Sequence, residues 1–415
     1  MKILHLNTYD ILGGAARAAY RIHTALRREK INSEMLVATK GSQDETVIKY
    51  QLRWQYKKQQ FVDRILSLQK SKNPTYHSCN IFPSGIHQKI NMSNADIVHL
   101  HWIGGELISI GEIRKIEKPI VWTLHDMWSF CGAEHYDDLA SPHRYKLGYC
   151  DENKPVTHLG KVDIDAWVWR RKKRQWQDVN FHFVTPSGWL KSCLSESSLF
   201  ADNSGIVIPN CLDTNVFQPK EKKASRDFFH LPQEKRLILF GADFGETNPL
   251  KGYHLLRKAL KFLSSKYPTW EVECVVFGGV EAGRYAMDGI GVTDVGRIHD
   301  DGQLAMLYSA ADVFVTASMM EAFGQTVTEA MGCGTAVVGF DIGGVSETID
   351  HRLTGYLVEP FNTEEFAEAI YWVLEDSKRL QKLKQNAREK VLKIYSYSVV
   401  AGQYTRLYRK IMEKI

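Results

Sequence analysis

Lys2-Ile-Leu-His-Leu-Asn7 is a short apolar run, followed by a loop containing Gly13-Gly14 and a helical pattern over residues 15–28. A second run, Glu34-Met-Leu-Val-Ala38, closes the unit. Two strand-length runs flanking a helix-length segment mark a βαβ unit, and hence a parallel sheet. Working outward, Asp96-Ile-Val-His-Leu100, Ile120-Val-Trp-Thr-Leu124 and Phe181-His-Phe-Val-Thr185 continue the alternation. A polar stretch with Pro219 and Lys220-Glu-Lys-Lys223 interrupts it, and Arg236-Leu-Ile-Leu-Phe240 restarts it. A helix follows with apolar Leu255, Leu256, Ala259, Leu260 and Leu263, then strands at residues 272–277, 313–316 and 336–340. The pattern predicts two doubly wound α/β domains with a cleft between them: residues 1–215, residues 216–395, and a C-terminal helix over 396–415. Val400, Tyr404, Leu407, Tyr408 and Ile411 give that last helix an apolar stripe, expected to pack back on the first domain.

Composition agrees with a globular enzyme-sized chain. The 415 residues are 44% hydrophobic and 24% charged, enough for two or three domains. Lys and Arg exceed Asp and Glu by 53 − 48 = 5, too diffuse an excess to argue for nucleic acid. No apolar run approaches the ~18 residues of a membrane span, and the first ten residues carry no signal-peptide core. A cytoplasmic location is the expectation. Seven scattered Cys with no C-x-x-C read as free thiols. Cys131 and Cys150 flank a His-rich stretch, where they could instead pair or join His135 or His143 on a metal.

The motifs narrow the ligand. The loop after the first strand, Thr8-Tyr-Asp-Ile-Leu-Gly-Gly-Ala15, is not G-x-G-x-x-G. The second strand ends in Thr39-Lys40 rather than in an acidic residue, which disfavours a dinucleotide. Gly13-Gly14 still suits close approach of an anion to backbone N–H groups, or it is an ordinary turn. In the second half, Glu321 falls in a loop after a strand, and Phe323-Gly-Gln-Thr326 leads into a short helix carrying Glu329. Amides at that helix start can hold phosphate, Glu329 can accept a vicinal diol, and Glu321 can reach a second ring. That combination describes a nucleotide sugar; the plainer reading is two solvated carboxylates.

The block Glu-Ala-Phe-Gly-Gln-Thr-Val-Thr-Glu, residues 321–329, resembles the retaining glycosyltransferases of family 4 (glycosyl transferases group 1), which have the GT-B fold. Pro249-Leu-Lys-Gly252, residues 339–347 and 355–360, Gly13-Gly14, Thr123-Leu-His-Asp-Met-Trp128, Pro186-Ser187 and Ile208-Pro-Asn210 extend the likeness along nearly the whole chain. The resemblance implies an α/β GT-B enzyme with two Rossmann-like domains facing across a deep cleft. It implies transfer of a hexosyl-type group from a nucleotide-diphosphate sugar to a saccharide or lipid-linked acceptor, with neither metal nor cofactor. Glu329 would bind the donor ribose, and Glu321 with the amides of Phe323 and Gly324 the donor sugar. Gln325 and Thr326 would complete the donor site, and Lys251 would neutralise the diphosphate. His125 would lie beside the transferred sugar, and Gly13 and Gly14 would close over the phosphate. His101, Asp126 and Arg17 are acceptor-side candidates. Many members carry an Arg after the first strand of the second domain, where this chain reads Phe240-Gly-Ala242-Asp243. An epimerase of the same fold, or a binding module without catalysis, is the alternative.

Three further features are read from residues alone. Asp163-Ile-Asp165 has the letters of a metal-binding Asp-x-Asp but precedes a helical pattern, so a solvated helix start is expected. His99 and His101 share one strand face, suiting a metal pair or, more simply, a wall lining the acceptor. Trp167, Trp169 and the run Arg170, Arg171, Lys172, Lys173, Arg174 form a basic–aromatic helix that could lie on an anionic membrane surface or pack its Trp side inward.

Overall fold

A computed structural model describes every residue except 140–142, 157, 204, 242–247, 280–281 and 415, with the side chain of Gln55 also left aside. The chain divides into two compact units: Met1–Asn210 together with Val400–Ile415, and Cys211–Val399. The expected boundaries at 215/216 and 395/396 thus shift by about five residues. Leu212 already belongs to the second unit because its amide pairs with the Tyr395 carbonyl, and its side chain joins that unit's core.

The first unit holds β1 (Lys2–Tyr9), β2 (Asn32–Thr39), β3 (Val47–Lys49), β4 (Ile97–Leu100), β5 (Ile120–Thr123), β6 (Phe181–Thr185) and β7 (Ile206–Val207). They form one sheet in the order β3-β2-β1-β4-β5-β6-β7. Every pairing in it is parallel. The order reverses between β1 and β4, so the loops leaving their carboxyl ends open a crevice suited to a ligand. β4 and β5 are buried at every position, as expected of strands covered on both faces.

The second unit holds β8 (Arg236–Gly241), β9 (Val272–Phe277), β10 (Gly283–Met287), β11 (Ile290–Asp294), β12 (Val313–Thr316), β13 (Ala336–Phe340) and β14 (Gly355–Val358). Their order is β10-β11-β9-β8-β12-β13-β14. The two-residue strand period splits the core cleanly. Ile238 and Phe240 face one apolar cluster with the helix Tyr253–Lys266, while Leu237 and Leu239 face the other with the helix Gln325–Gly332. The only antiparallel pair among the described strands is β10–β11, joined by Asp288-Gly289, both at positive φ. Asp-Gly is the residue pair that such a tight hairpin favours.

The C-terminal helix, Tyr397–Met412, buries Val400, Tyr404, Tyr408 and Ile411. The Tyr404 hydroxyl lies 2.9 Å from Thr123 Oγ1 and that of Tyr408 lies 2.7 Å from His99 Nδ1, so the helix is tied to β4 and β5 of the first unit. No helix among the described residues is long and apolar enough to cross a membrane.

Candidate active site

In the second unit the site grows from the switch between β8 and β12. Residues 249–251 form a single 3-10 turn whose start is capped by the Asn248 side chain, which accepts from the Leu250 amide at 3.1 Å. Gly252 ends the turn at φ 69°, and a Cβ there would lie 1.8 Å from the Ala317 carbonyl oxygen. The Met319 amide donates to the Leu250 carbonyl at 2.7 Å, fastening the turn to the loop after β12. This packing carries Lys251 Nζ to 2.7 Å from Glu321 Oε2. Both side chains keep partial exposure, 29% and 20%, so the pair is open to a ligand as well as to itself.

Glu321 is held from below by glycines. The Gly344 amide donates to its carbonyl at 2.8 Å, and a Cβ on Gly343 would come within 2.4 Å of that same oxygen. The loop then turns through Phe323 and through Gly324 at φ 88° into the helix Gln325–Gly332. A helix start leaves its first amides without intrahelical acceptors, a fixed positive end suited to phosphate. Gln325 and Thr326 occupy that first turn. Glu329 lies one turn in, 4% exposed, with its Oε2 accepting from the Tyr308 hydroxyl at 2.9 Å. The plainer expectation of two solvated carboxylates does not hold: one is ion-paired and the other is buried. Tyr308 was not singled out by sequence; it lies on the helix Asp301–Ala310, whose buried face joins the same core cluster as the helix carrying Glu329. Ala242 and Asp243, where the family's Arg would stand, lie outside the described residues.

In the first unit Gly13, at φ 86°, caps the helix Gly14–Arg28, and the Arg17 amide closes the first turn onto the Gly13 carbonyl at 3.0 Å. The preceding loop is pinned by Asp10, whose carboxylate accepts from the amides of Ile11, Gly41 and Ser42. At the neighbouring strand ends, His101, Trp102, Gly104, His125, Asp126 and Ser129 line a small pocket. His101 is 2% exposed, so it backs His125 rather than forming an open acceptor wall. Its Nδ1 lies 3.1 Å from His125 Nε2, and its Nε2 lies 2.8 Å from Nδ1 of His5, a ring not anticipated from sequence. His99 is fully buried, between Thr123 and Tyr408, and so lines nothing. Burial lowers the pKa of all these rings, that of His125 to about 4, so they are neutral at pH 7. Asp126 accepts from His135 Nδ1 at 2.6 Å. Burial works against its charge, but that partner holds its pKa below the usual carboxylate range.

A family model, glycosyl transferases group 1, matches residues 221–390. The D-inositol 3-phosphate glycosyltransferase of Saccharomonospora viridis is 30% identical over 336 residues, covering 76% of this chain and 70% of the relative. The chain belongs to the group 1 glycosyl transferases. Solved structures agree in fold. Sucrose-phosphate synthase from Thermosynechococcus elongatus superposes over the whole of both chains at TM-score 0.70 and 19% identity. Anabaena HepE, solved with UDP-glucose, superposes over 99% of this chain and 100% of its own at 0.66 and 17%. These neighbours are GT-B enzymes, and the two parallel-sheet units described above are that architecture.

Other features of the glycosyltransferase correct the sequence expectations. Asp163 is no solvated helix start. It caps the helix Ile164–Trp176 through the Ala166 amide and takes an ion pair from Arg144 at 2.5 Å. Asp165 is 2% exposed and accepts from Gln69 at 2.7 Å. Burial and the neighbouring Glu134 push its carboxyl well above the usual range, toward the neutral form. The basic–aromatic helix is divided. Lys172 is fully buried, donating to the carbonyls of Trp128, Cys131 and Gly132, and its pKa is lowered to about 7 by burial. Trp169 and Trp176 are buried as well, leaving Trp167, Arg170, Lys173 and Arg174 exposed and Arg171 half-buried. All seven cysteines are free thiols. His135 and His143 bind Asp126 and Asp137 rather than either Cys131 or Cys150.

Proposed function

We propose that the chain transfers a hexosyl group from a nucleotide-diphosphate sugar to a saccharide or lipid-linked saccharide, with retained anomeric configuration and without metal or cofactor. The pathway class would be polysaccharide or glycolipid assembly. The observation that carries the reading is Lys251 Nζ at 2.7 Å from Glu321 Oε2, on the loop that runs into the helix start at Gln325. An ammonium has three N–H donors, so Lys251 can keep Glu321 oriented toward sugar hydroxyls while a second donor reaches a phosphate oxygen. Glu329 would accept the ribose hydroxyls, with Tyr308 fixing its carboxylate. Gly13-Gly14 would cover the phosphates, and Arg17 and Asp126 would meet the acceptor.

In the reaction the bond from the anomeric carbon to the phosphate oxygen breaks and the acceptor oxygen bonds to the same face of that carbon. The acceptor proton passes to the leaving phosphate. Negative charge grows on the nucleoside diphosphate, and Lys251 with the helix amides stabilises it where other transferases place a metal. UDP-glucose, found with Anabaena HepE, is the first donor to try, and inositol phosphates, after the name of the Saccharomonospora relative, belong among the acceptors.

The test is a screen of nucleotide sugars and acceptors in excess EDTA, with the anomeric configuration of the product read by proton NMR. An acceptor-linked product of retained configuration is expected. Inversion, dependence on added Mn²⁺ or Mg²⁺, or conversion of the donor into another free sugar nucleotide would each overturn it. Cytoplasmic enzyme at a membrane face is part of the proposal, through Trp167, Arg170, Lys173 and Arg174. Salt-reversible sedimentation with anionic but not neutral vesicles supports that part, and its absence removes it.

A further inference from the structure

Three imidazoles run end to end from the core of the first unit to its pocket. His5 on β1 faces His99 on β4 in register, and His101 follows one residue beyond β4. His5 Nδ1 lies 2.8 Å from His101 Nε2, and His101 Nδ1 lies 3.1 Å from His125 Nε2. His125 is the one ring of the three that is half-buried rather than buried, and it lines the pocket. At the other end His5 Nε2 is buried without a partner.

A neutral imidazole carries one N–H and one lone pair, so each contact in this row needs one proton and the row has two polarities. If His101 carries its proton on Nε2, it donates to His5, whose own proton is then forced onto Nε2 and buried with no acceptor. If His101 carries it on Nδ1, it donates to His125 Nε2 and accepts from His5 Nδ1–H, leaving only a bare lone pair at the blind end. Orphaned buried N–H groups are the rarer defect in folded proteins. We infer that His5 acts as a positioning residue, setting the polarity of the row so that His125 holds its proton on Nδ1 and offers the pocket a neutral N–H donor. Burial of all three rings supports this by keeping a second proton off the row.

An N–H donor at His125 fits a ligand group that accepts, such as a sugar hydroxyl or ring oxygen, and not a proton that needs a base. This use rests on the transferase reading above; the tautomer itself does not. The test is a long-range proton–nitrogen correlation spectrum of the full chain, labelled with ¹⁵N-histidine, without ligand at pH 7.5. Pyrrole-type Nδ1 and pyridine-type Nε2 at His5, His101 and His125 are expected. A pyrrole-type Nε2 at His5 or His125, or a doubly protonated ring, overturns the inference. His5→Asn, whose amide both donates and accepts, should release the polarity and mix the two tautomers at His125. A His125 signal unchanged in a folded His5→Asn protein denies His5 the role. Where transfer is measurable, His125→Ala should lower kcat/KM roughly tenfold, and His125→Asn, which keeps an N–H near the Nδ1 position, should recover part. Equal loss in both variants removes the donor role while leaving the tautomer to the spectrum. Wild-type spectra are read without activity, so failure of the transferase reading is recognised separately.

Discussion

His23 is fully buried, with its two ring nitrogens 2.7 Å from Ser33 Oγ and 2.9 Å from Thr46 Oγ1. Burial lowers its pKa to about 4, despite Asp44 nearby. An unfolded imidazole titrates near ~6.5, so below that pH the unfolded chain takes up a proton that the folded ring refuses. Stability therefore falls as pH drops from about 6.5 toward 4 and levels off below. At pH 5 the difference is about 1.5 pH units, or about 2 kcal/mol for this ring. Replacing His23 by Gln keeps donor and acceptor groups and removes the titration. The loss of stability between pH 7.5 and 5 should then be about 2 kcal/mol smaller in His23→Gln than in the wild type. Urea unfolding followed by Trp fluorescence reads this well, because Trp54, Trp102, Trp122, Trp128, Trp167, Trp169, Trp176 and Trp189 lie in the first unit against Trp270 and Trp372 in the second. The subtraction also cancels Asp137, whose pKa burial raises to about 6 and which acts in the opposite sense. Identical pH dependence in the two proteins would refute the claim that this ring stays neutral in the fold.

Three other outcomes are expected. Lys251→Ala should lower kcat by ~10²–10³, as removal of a transition-state charge donor does, with Lys251→Arg a partial rescue; a rise in KM alone would reduce the lysine to a grip on the donor. Tyr308→Phe removes a hydrogen bond to a buried carboxylate, which contributes ~1.5–3 kcal/mol, and should weaken nucleotide binding about tenfold or more by calorimetry; unchanged affinity would separate Glu329 from the nucleotide. Lys172→Met strands three carbonyls and should destabilise the first unit by about 1.5–3 kcal/mol in urea while leaving vesicle sedimentation as in the wild type; the reverse result would place Lys172 at the surface.

Much of the fold was legible because parallel strands buried on both faces leave continuous apolar runs, as at residues 97–100 and 313–316. β3 and β7, at three and two residues, leave no such run. β10 is an exposed edge whose first four residues, Gly-Arg-Tyr-Ala, are all exposed and carry no strand alternation, so it left no sequence signal. Of the candidate site, Glu321, Lys251 and Glu329 were readable as a motif. The support beneath them was not, since Gly252 against Ala317 and Gly343 against Glu321 are backbone approaches that a sequence marks only as glycine. Lys172 was misplaced for a related reason. The five consecutive cations of its helix read together as one candidate membrane-facing run, but a helix turns 100° per residue, and Lys172 falls on the buried side with Trp169 and Trp176.

The same contrast runs through the chemistry. The donor site proposed in the second unit offers formal charges, Lys251 and Glu321, both partly open to solvent, so their pair is weakly stabilising and easily shared with an incoming anion. The pocket of the first unit is backed by rings that burial keeps uncharged. Under the proposed reaction the two ends of the breaking bond ask for opposite treatments. The departing diphosphate gains negative charge and is stabilised by a cation, whereas the sugar gains positive charge and an imidazolium beside it would raise the barrier. At ~3.5 Å and an effective dielectric of ~20, such a contact between full charges would cost about 5 kcal/mol. A neutral N–H keeps the directional hydrogen bond without that repulsion. On this account the deep row of histidines behind His125 is the means by which the pocket holds a histidine at pH 7 without holding a charge.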